Sequence, residues 1–232
     1  MLLSGILNIP QSSLLANFRR QLGENQGEPA YMHISEGVLS PPVLLAGAAV
    51  TVVGTAIGLK KLDYDRIMTV SLLTATFFVA SLIHVPLGPG NVHLVLGGLM
   101  GIVLGWSCFP AILVALFLQS VFFNYGGLVV LGVNTTTMAL PAIICFYLCR
   151  PWIETNGQKR KFAAFAAGFL AILFSSLIMA LALWTTDKGF IQVAQLVVAV
   201  YIPLMVIEGI ITLFTISFLA KVQPEFLVIG KQ

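Results

Sequence analysis

The sequence predicts an all-α, polytopic membrane protein with about seven transmembrane helices. Its 232 residues are 58% hydrophobic and only 9% charged, and the mean hydropathy is +0.98, whereas soluble domains are roughly one quarter charged. The apolar stretches follow one another without a polar insert long enough to fold alone, which predicts one membrane domain. The net charge of +3 is small, and no basic patch is interleaved with aromatic residues, so nucleic-acid binding is not expected.

Seven apolar stretches set the predicted spans, and each is compared with the roughly 20 residues that cross ~30 Å of hydrocarbon. The third, fourth and fifth are the least regular, because Trp106 and Pro110 separate the third from the fourth. Broken or re-entrant helices are therefore the alternative to clean spans in this region. The stretches are 42–59, 67–85, 92–105, 111–123, 128–148, 162–184 and 191–220.

The basic residues predict the orientation, because cytoplasmic loops of membrane proteins carry an excess of Lys and Arg. With seven spans, three groups of basic residues fall on one side, and only Lys188 falls on the other after Met32. Six or eight spans would divide these groups, so we expect the N-terminus outside and the C-terminus in the cytoplasm. The groups are Lys60, Lys61 and Arg66; Arg150, Lys159, Arg160 and Lys161; and Lys221 and Lys231.

Residues 1–31 differ from the rest of the chain, with only short apolar pieces and a patch rich in Gln, Asn and Gly. A secretory signal carries its positive charge before its apolar core, but Arg19 and Arg20 follow the apolar part here. We therefore expect the working transmembrane domain to be 32–232. The favoured explanation is a true start at Met32; a removed leader and a retained interfacial or disordered extension are the alternatives.

A start at Met32 would create a metal chelate. The free terminal amine, the His33 backbone amide and the His33 imidazole can close small rings around one divalent ion. Nitrogen-rich coordination of this kind suits Ni(II) or Cu(II), and imidazole also accepts Co(II) and Zn(II). The chelate requires the free amine, so retention of residues 1–31 would remove it.

The other two histidines, His84 and His93, flank a loop rich in Gly and Pro that is predicted on the same side as Met32. Gly and Pro favour turns, and non-helical backbone is tolerated at membrane depth where it lines a cavity. His93 is the expected loop ligand, with a histidine bonded to the loop backbone as the alternative. His84 is a further candidate ligand, although a place at the membrane interface is the favoured interpretation. Glu36 and Asn91 are candidates to orient the ligands by hydrogen bonds, and for Glu36 a role in the following turn is equally weighted.

For polar residues outside the proposed donor set, the sequence leaves more than one role open. Asn134 is expected either to hydrogen-bond the ligand loop or to hold helices together. Glu208 lies in an apolar run after Pro203, where a carboxylate is costly, so an inter-helix hydrogen bond or an ion route is predicted. The three cysteines form no C-x-x-C pair, which argues against a disulfide framework or a thiolate site. The chain has no phosphate-binding loop and no H-E-x-x-H, so neither ATP hydrolysis nor zinc-protease activity is expected.

The run 32–37, Met-His-Ile-Ser-Glu-Gly, resembles the start of the CbiM/NikM proteins, and the loop ending at His93 and the segments 131–138 and 203–212 are also similar. The resemblance covers 32–228 and implies seven helices, with the amino terminus folded into the outward-facing centre. It also implies a metal held by the terminal amine, by the backbone nitrogen and imidazole of the second residue, and by a loop histidine. By position these donors are Met32, His33 and His93.

The resemblance further implies the substrate-capture subunit (S component) of an energy-coupling-factor transporter that takes up Co(II) or Ni(II), with cobalamin synthesis as one process supplied. Such a chain lies in the cytoplasmic (inner) membrane of a prokaryote, catalyses nothing and holds no organic cofactor. Its expected partners are a transmembrane coupling subunit, cytoplasmic ATPase subunits, a small accessory membrane subunit in some systems, and the lipid bilayer. A metal-dependent membrane enzyme with Glu36 as general base and a binding component for an organic micronutrient are the alternatives.

Overall fold

The computed structural model describes residues 34, 36–87, 90–187, 198–199 and 201–227, and seven α-helices lie within these ranges. Each predicted apolar stretch overlaps one of them, which confirms the all-α membrane class. A two-stranded antiparallel hairpin, β1 (His84–Leu87) and β2 (Gly90–His93), lies between the second and third helices. The helices are α1 (Pro41–Lys60), α2 (Ile67–Leu82), α3 (Gly97–Leu104), α4 (Cys108–Phe123), α5 (Leu131–Ile153), α6 (Gln158–Thr186) and α7 (Ile202–Val222).

Prolines mark the starts of two helices. Ser40 is extended and Pro41 opens α1, while Pro203 occupies the first turn of α7. Proline suits this position because the first N–H groups of a helix have no partner within it. The predicted apolar stretch 191–220 runs through Pro203; in the structure Pro203 lies in the first turn of a helix that begins at Ile202.

Contacts at the helix ends show that α3 and α4 run in opposite directions. Arg66, which precedes α2, donates from Nη2 to the Val103 carbonyl at 2.7 Å, so α3 ends beside the start of α2. At the other end of α2, Ser81 accepts a hydrogen bond from Gln119, close to the end of α4. The chain therefore enters along α3, reverses, and returns along α4 beside α2.

The reversal is made at Gly105, where a 3-10 turn (Gly105–Ser107) interrupts a helical segment of 27 residues. Gly105 has φ 54° and ψ −130°, a conformation that side chains oppose and glycine permits. The eight residues of α3 rise only about 12 Å, so the alternative of broken helices is right here. With 97–123 counted once, six segments of the described chain are long and apolar enough to cross a membrane; seven spans and the orientation stay predictions.

Close approach of backbones holds the bundle together. A Cβ on Gly54 would lie 2.5 Å from the Phe109 ring, and one on Gly58 would lie 2.5 Å from the Trp106 carbonyl oxygen. Small residues at helix interfaces permit this kind of packing in membranes. On the same buried face of α1, nearer its start, Thr51 donates to the Gly132 carbonyl at 2.6 Å, which ties α1 to the first turn of α5.

Candidate metal centre

The hairpin brings together the two histidines that the sequence places on either side of the Gly/Pro loop. His84 pairs directly with His93, and Leu87 pairs with Gly90 at the turn. Directly opposed residues of an antiparallel pair have Cα atoms about 4.5–5.5 Å apart. The two histidine backbones are therefore neighbours, although they are nine positions apart in the printed sequence.

Of this pair, His93 is the residue whose side chain the structure describes, and it is buried. It is 1% exposed, and its Nδ1 lies 3.0 Å from the Leu94 carbonyl oxygen. A carbonyl oxygen can only accept, so this contact assigns the proton to Nδ1 in the neutral ring. Nε2 then carries the lone pair, which is the form of imidazole that coordinates a metal.

Glu208 fixes the chain two and three residues after His93. Its Oε1 accepts hydrogen bonds from the N–H groups of Val95 and, at 2.9 Å, Leu96. Leu96 has a positive φ of 51° and precedes the first turn of α3, whose N–H groups have no partner within the helix. The carboxyl group is completely buried, and a negative charge at a helix N-terminus is favourable. Of the two expectations for Glu208, the structure shows a hydrogen bond, between α7 and the residues that lead into α3; the ion route stays a prediction.

Only one oxygen of this carboxylate is satisfied within the described part of the chain. Glu208 Oε2 and Thr212 Oγ1, one helical turn further along α7, are both buried without a hydrogen-bond partner there. Buried charge is costly unless it is compensated. When it is ionised, a carboxylate this close to the His93 segment makes that end of the bundle electrostatically favourable for a cation.

Asn134 fixes the chain immediately after His33. The Ile34 N–H donates to Asn134 Oδ1 at 3.1 Å, and Asn134 Nδ2 donates to the Ile34 carbonyl at 3.2 Å. This reciprocal pair satisfies both backbone groups of Ile34, which is 1% exposed. The residue next to His33 is thus held inside the bundle by a side chain of α5. Met32 and His33 themselves lie outside the described residues.

Two further contacts hold the segment from Ile34 to α1. Glu36 Oε1 accepts the Val129 N–H at 2.9 Å, and the Ser40 N–H donates to Thr186 Oγ1 at 3.3 Å. Glu36 is exposed, and its described contact is to the loop before α5; a role in orienting His33 stays a prediction. For Asn91 the structure describes the backbone pairing with Pro86 alone, so its predicted role as a ligand-orienting residue is likewise untested.

The anchors of the two histidine-bearing segments lie toward the same end of the bundle. α3 and α5 run in the same direction, because Gly101 packs on Ala142 and Gly105 packs near Phe146. Asn134 lies about two turns before Ala142, at the level of the residues that lead into α3. The segment after His33 and the segment after His93 therefore lie toward the same end of the bundle, as a shared site requires.

Within the described residues, no three His, Cys, Asp or Glu side chains form a group that could hold a metal. The donor set proposed from the sequence stays a prediction, since two of its three residues, Met32 and His33, lie outside the described ranges. The three cysteines are buried and free, and none belongs to such a group. Sequence reasoning could identify the histidines; it could not show that Asn134 binds the backbone next to His33.

These features define a class: a multi-pass helical membrane protein that buries a histidine at one end of its bundle and clamps the segment beside it. Comparison with known proteins places the chain within that class. Residues 33–226 match the family described as the cobalt uptake substrate-specific transmembrane region, CbiM. The chain belongs to this family, which is a family of membrane components of metal transport.

Individual relatives agree with this membership. A Haemophilus influenzae protein provisionally named a metal transport protein is 41% identical over 197 residues, 84% of this chain and 96% of that protein. The fused nickel transport protein NikMN of Rhodobacter capsulatus is 36% identical over 115 residues, 47% of this chain and 33% of that protein. A crystal structure of a transition metal transporter matches with a TM-score of 0.72 and 24% identity, over 82% of this chain and 93% of that one. At this identity, the last comparison supports the fold.

Proposed function

We propose that this chain captures Co(II) or Ni(II) as the S component of an energy-coupling-factor uptake transporter. The ion is the transported substrate, and its donors are the Met32 amine, the His33 backbone nitrogen and imidazole, and the His93 imidazole. The chain catalyses no reaction itself and holds no organic cofactor.

One observation carries this proposal: the segments that follow both histidines are clamped from within the bundle, toward the same end. Asn134 holds Ile34 through two hydrogen bonds, and Glu208 holds Val95 and Leu96. A site that is fixed before the ion arrives does not have to order its segments on binding, which would otherwise reduce affinity. Fixed segments are what a selective metal site needs, because coordination geometry discriminates between metals that have similar affinities.

The tautomer of His93 supports the same role. With the proton on Nδ1 and the Leu94 carbonyl accepting it, Nε2 can bind the ion without first losing a proton. A hydrogen bond from the second ring nitrogen also fixes the orientation of the ligand. Four nitrogen donors of this kind favour Ni(II) or Co(II) over the oxygen-preferring Mg(II) and Ca(II).

The proposed partners follow from what the chain lacks. It has no phosphate-binding loop, so energy for uptake has to come from separate ATPase subunits, linked through a transmembrane coupling subunit. A small accessory membrane subunit completes the assembly in some systems, and cobalamin synthesis is a candidate destination for the metal. Purification from the native host should recover the ATPase and coupling subunits with this chain; its isolation with neither, under mild detergent conditions, would contradict the partnership.

Metal capture is tested by nickel stoichiometry. The intact mass of the protein purified from its host shows first whether the chain begins at Met32. A chain that does should bind about one Ni(II), measured by elemental mass spectrometry after desalting. His33→Ala should abolish specific binding, and His93→Ala should lower it strongly because one nitrogen donor is lost. His84→Ala shows whether the other hairpin histidine contributes a donor.

Cys149→Ala serves as the matched control, since Cys149 is a buried residue near the opposite end of α5 and its thiol is a conceivable adventitious ligand. It should bind nickel as the unmodified protein does. Equal stoichiometry in the unmodified protein, His33→Ala and His93→Ala would refute the donor set. An organic ligand retained in place of metal would instead favour a micronutrient-binding component.

A further inference from the structure

A second site lies away from the histidine hairpin, in a cavity of about 150 Å³. It is formed where the α1–α2 connection, the 3-10 turn between α3 and α4, and the last turns of α5 meet. Four charged residues line it: Lys61, Asp63, Arg66 and Arg150. The cavity joins two of the basic groups that the sequence placed on one side of the membrane.

Positive charge predominates in this cavity. Three cationic side chains line it together with one carboxylate, Asp63; Glu154 forms an ion pair with Arg150, and Arg66 is attracted by Asp63 and, less strongly, repelled by Arg150. Both arginines are held in place: Arg66 donates to the Val103 carbonyl at 2.7 Å, and Arg150 Nε donates to Glu154 at 2.9 Å. A bound anion would relieve the repulsion, and fixed guanidinium groups bind phosphate oxygens well.

Helix ends of both kinds adjoin the cavity. Gly105, Trp106 and Ser107 form one wall and lead directly into α4, a helix of 16 residues with no acidic residue in its first turn. The N-terminus of a helix carries a partial positive charge that favours anions. α1, α3 and α5 end beside the same cavity, and their C-termini carry partial negative charge, so the three cations are the main attraction for an anion.

Aromatic residues place the cavity at the level of the lipid head groups. Trp106 Nε1 donates to the Tyr147 hydroxyl at 2.8 Å, and both residues line the cavity. Trp and Tyr concentrate at membrane–water interfaces. Tyr147 and Leu148 are exposed on α5, so apolar surface suited to acyl chains adjoins the charged cavity.

We propose that this cavity binds the phosphate group of an anionic phospholipid. Basic pockets between transmembrane helices recognise anionic head groups, and the neighbouring apolar surface favours a lipid over an acidic protein segment. The bound head group would join the start of α2, the α3–α4 reversal and the end of α5 from outside the bundle. This proposal does not depend on the identity of the captured metal.

The test is native mass spectrometry of the full chain in a neutral detergent. We expect it to retain phosphatidylglycerol in preference to phosphatidylcholine with the same acyl chains. Arg66→Gln combined with Arg150→Gln should weaken phosphatidylglycerol binding by about tenfold to thirtyfold, because two charges are lost. Arg150→Gln alone, which leaves the Arg66 contact to α3 intact, should show a smaller loss.

The matched control is Lys159→Gln combined with Lys161→Gln, which removes two exposed charges at the start of α6, outside the cavity. It should leave binding unchanged, and nickel stoichiometry should show that each variant is folded. Equal binding of the two lipids, or equal loss in the control pair, would overturn the proposal. Displacement of the lipid by equimolar inorganic phosphate would assign the cavity to a free anion instead. Loss of partner subunits without loss of lipid binding in the arginine variants would assign it to a protein contact.

Discussion

The two hydrogen bonds between Asn134 and Ile34 provide the sharpest test of the proposed metal site. Asn134→Ala removes both bonds and leaves the buried N–H and carbonyl of Ile34 without these partners. Each net hydrogen bond contributes about 0.5–1.5 kcal/mol, so the clamped position of Ile34 should lose about 1–3 kcal/mol. If metal binding requires the clamped segment, the affinity falls by the fraction of molecules that keep it, which corresponds to about fivefold to 150-fold.

The assay is a nickel titration of the protein that begins at Met32, followed calorimetrically. Thr135→Val is the matched control: Thr135 is buried on the same turn of α5, but its hydroxyl donates only to the Leu131 carbonyl within the helix. We expect a change of less than about threefold in that variant, since no contact to the Ile34 segment is lost. An unchanged nickel affinity in a folded Asn134→Ala protein would refute the idea that this clamp positions His33. Equal losses of nickel affinity in Asn134→Ala and Thr135→Val would refute the same idea.

The remaining predictions concern Glu208 and the packing of α3. Glu208→Gln keeps an acceptor for the N–H groups of Val95 and Leu96 but removes the charge. Nickel affinity should therefore fall while the melting temperature changes little. Glu208→Ala leaves two buried N–H groups without this acceptor and should destabilise the fold by about 2–6 kcal/mol, seen as a lower melting temperature. Gly101→Ala should also lower it, since a Cβ there would meet the Ala142 backbone, whereas at Gly97 the nearest atom would be 3.5 Å away. Gly97→Ala is therefore the control, and equal melting temperatures for the two glycine variants would contradict this packing.

Hydropathy was sufficient to locate the helices, because every predicted apolar stretch overlaps one. It was less informative about the residues at which the helices begin and end. The start of α7 depends on whether Pro203 breaks a helix or opens one, and proline is compatible with both. Trp106 and Pro110 indicated a break in the sequence near Gly105. The geometry of the reversal depends on a backbone conformation that composition does not reveal.

The sequence could propose ligands for the candidate site, but it could not reveal the residues that support the neighbouring segments. Histidine and a free amine can be recognised as metal donors from their chemistry alone. Asn134 and Ile34 are separated by 100 positions, and Glu208 lies 112 positions from Leu96. No local pattern encodes such a pairing. The sequence could show that Glu208 needed a partner in an apolar run, but the partner is a pair of backbone N–H groups, which every residue type except proline can supply.

Asn134 and Glu208 show how irregular backbone can be satisfied inside a membrane protein. Ile34 and residues 94–96 are not helical, and their backbone groups cannot rely on water at membrane depth. Asn134 satisfies the backbone groups of Ile34, and Glu208 satisfies the N–H groups of Val95 and Leu96. If the proposed metal site is right, stability and metal affinity are linked at these two residues. The linkage also gives a means of separating them, because Glu208→Gln changes the charge while keeping an acceptor, whereas Glu208→Ala removes both.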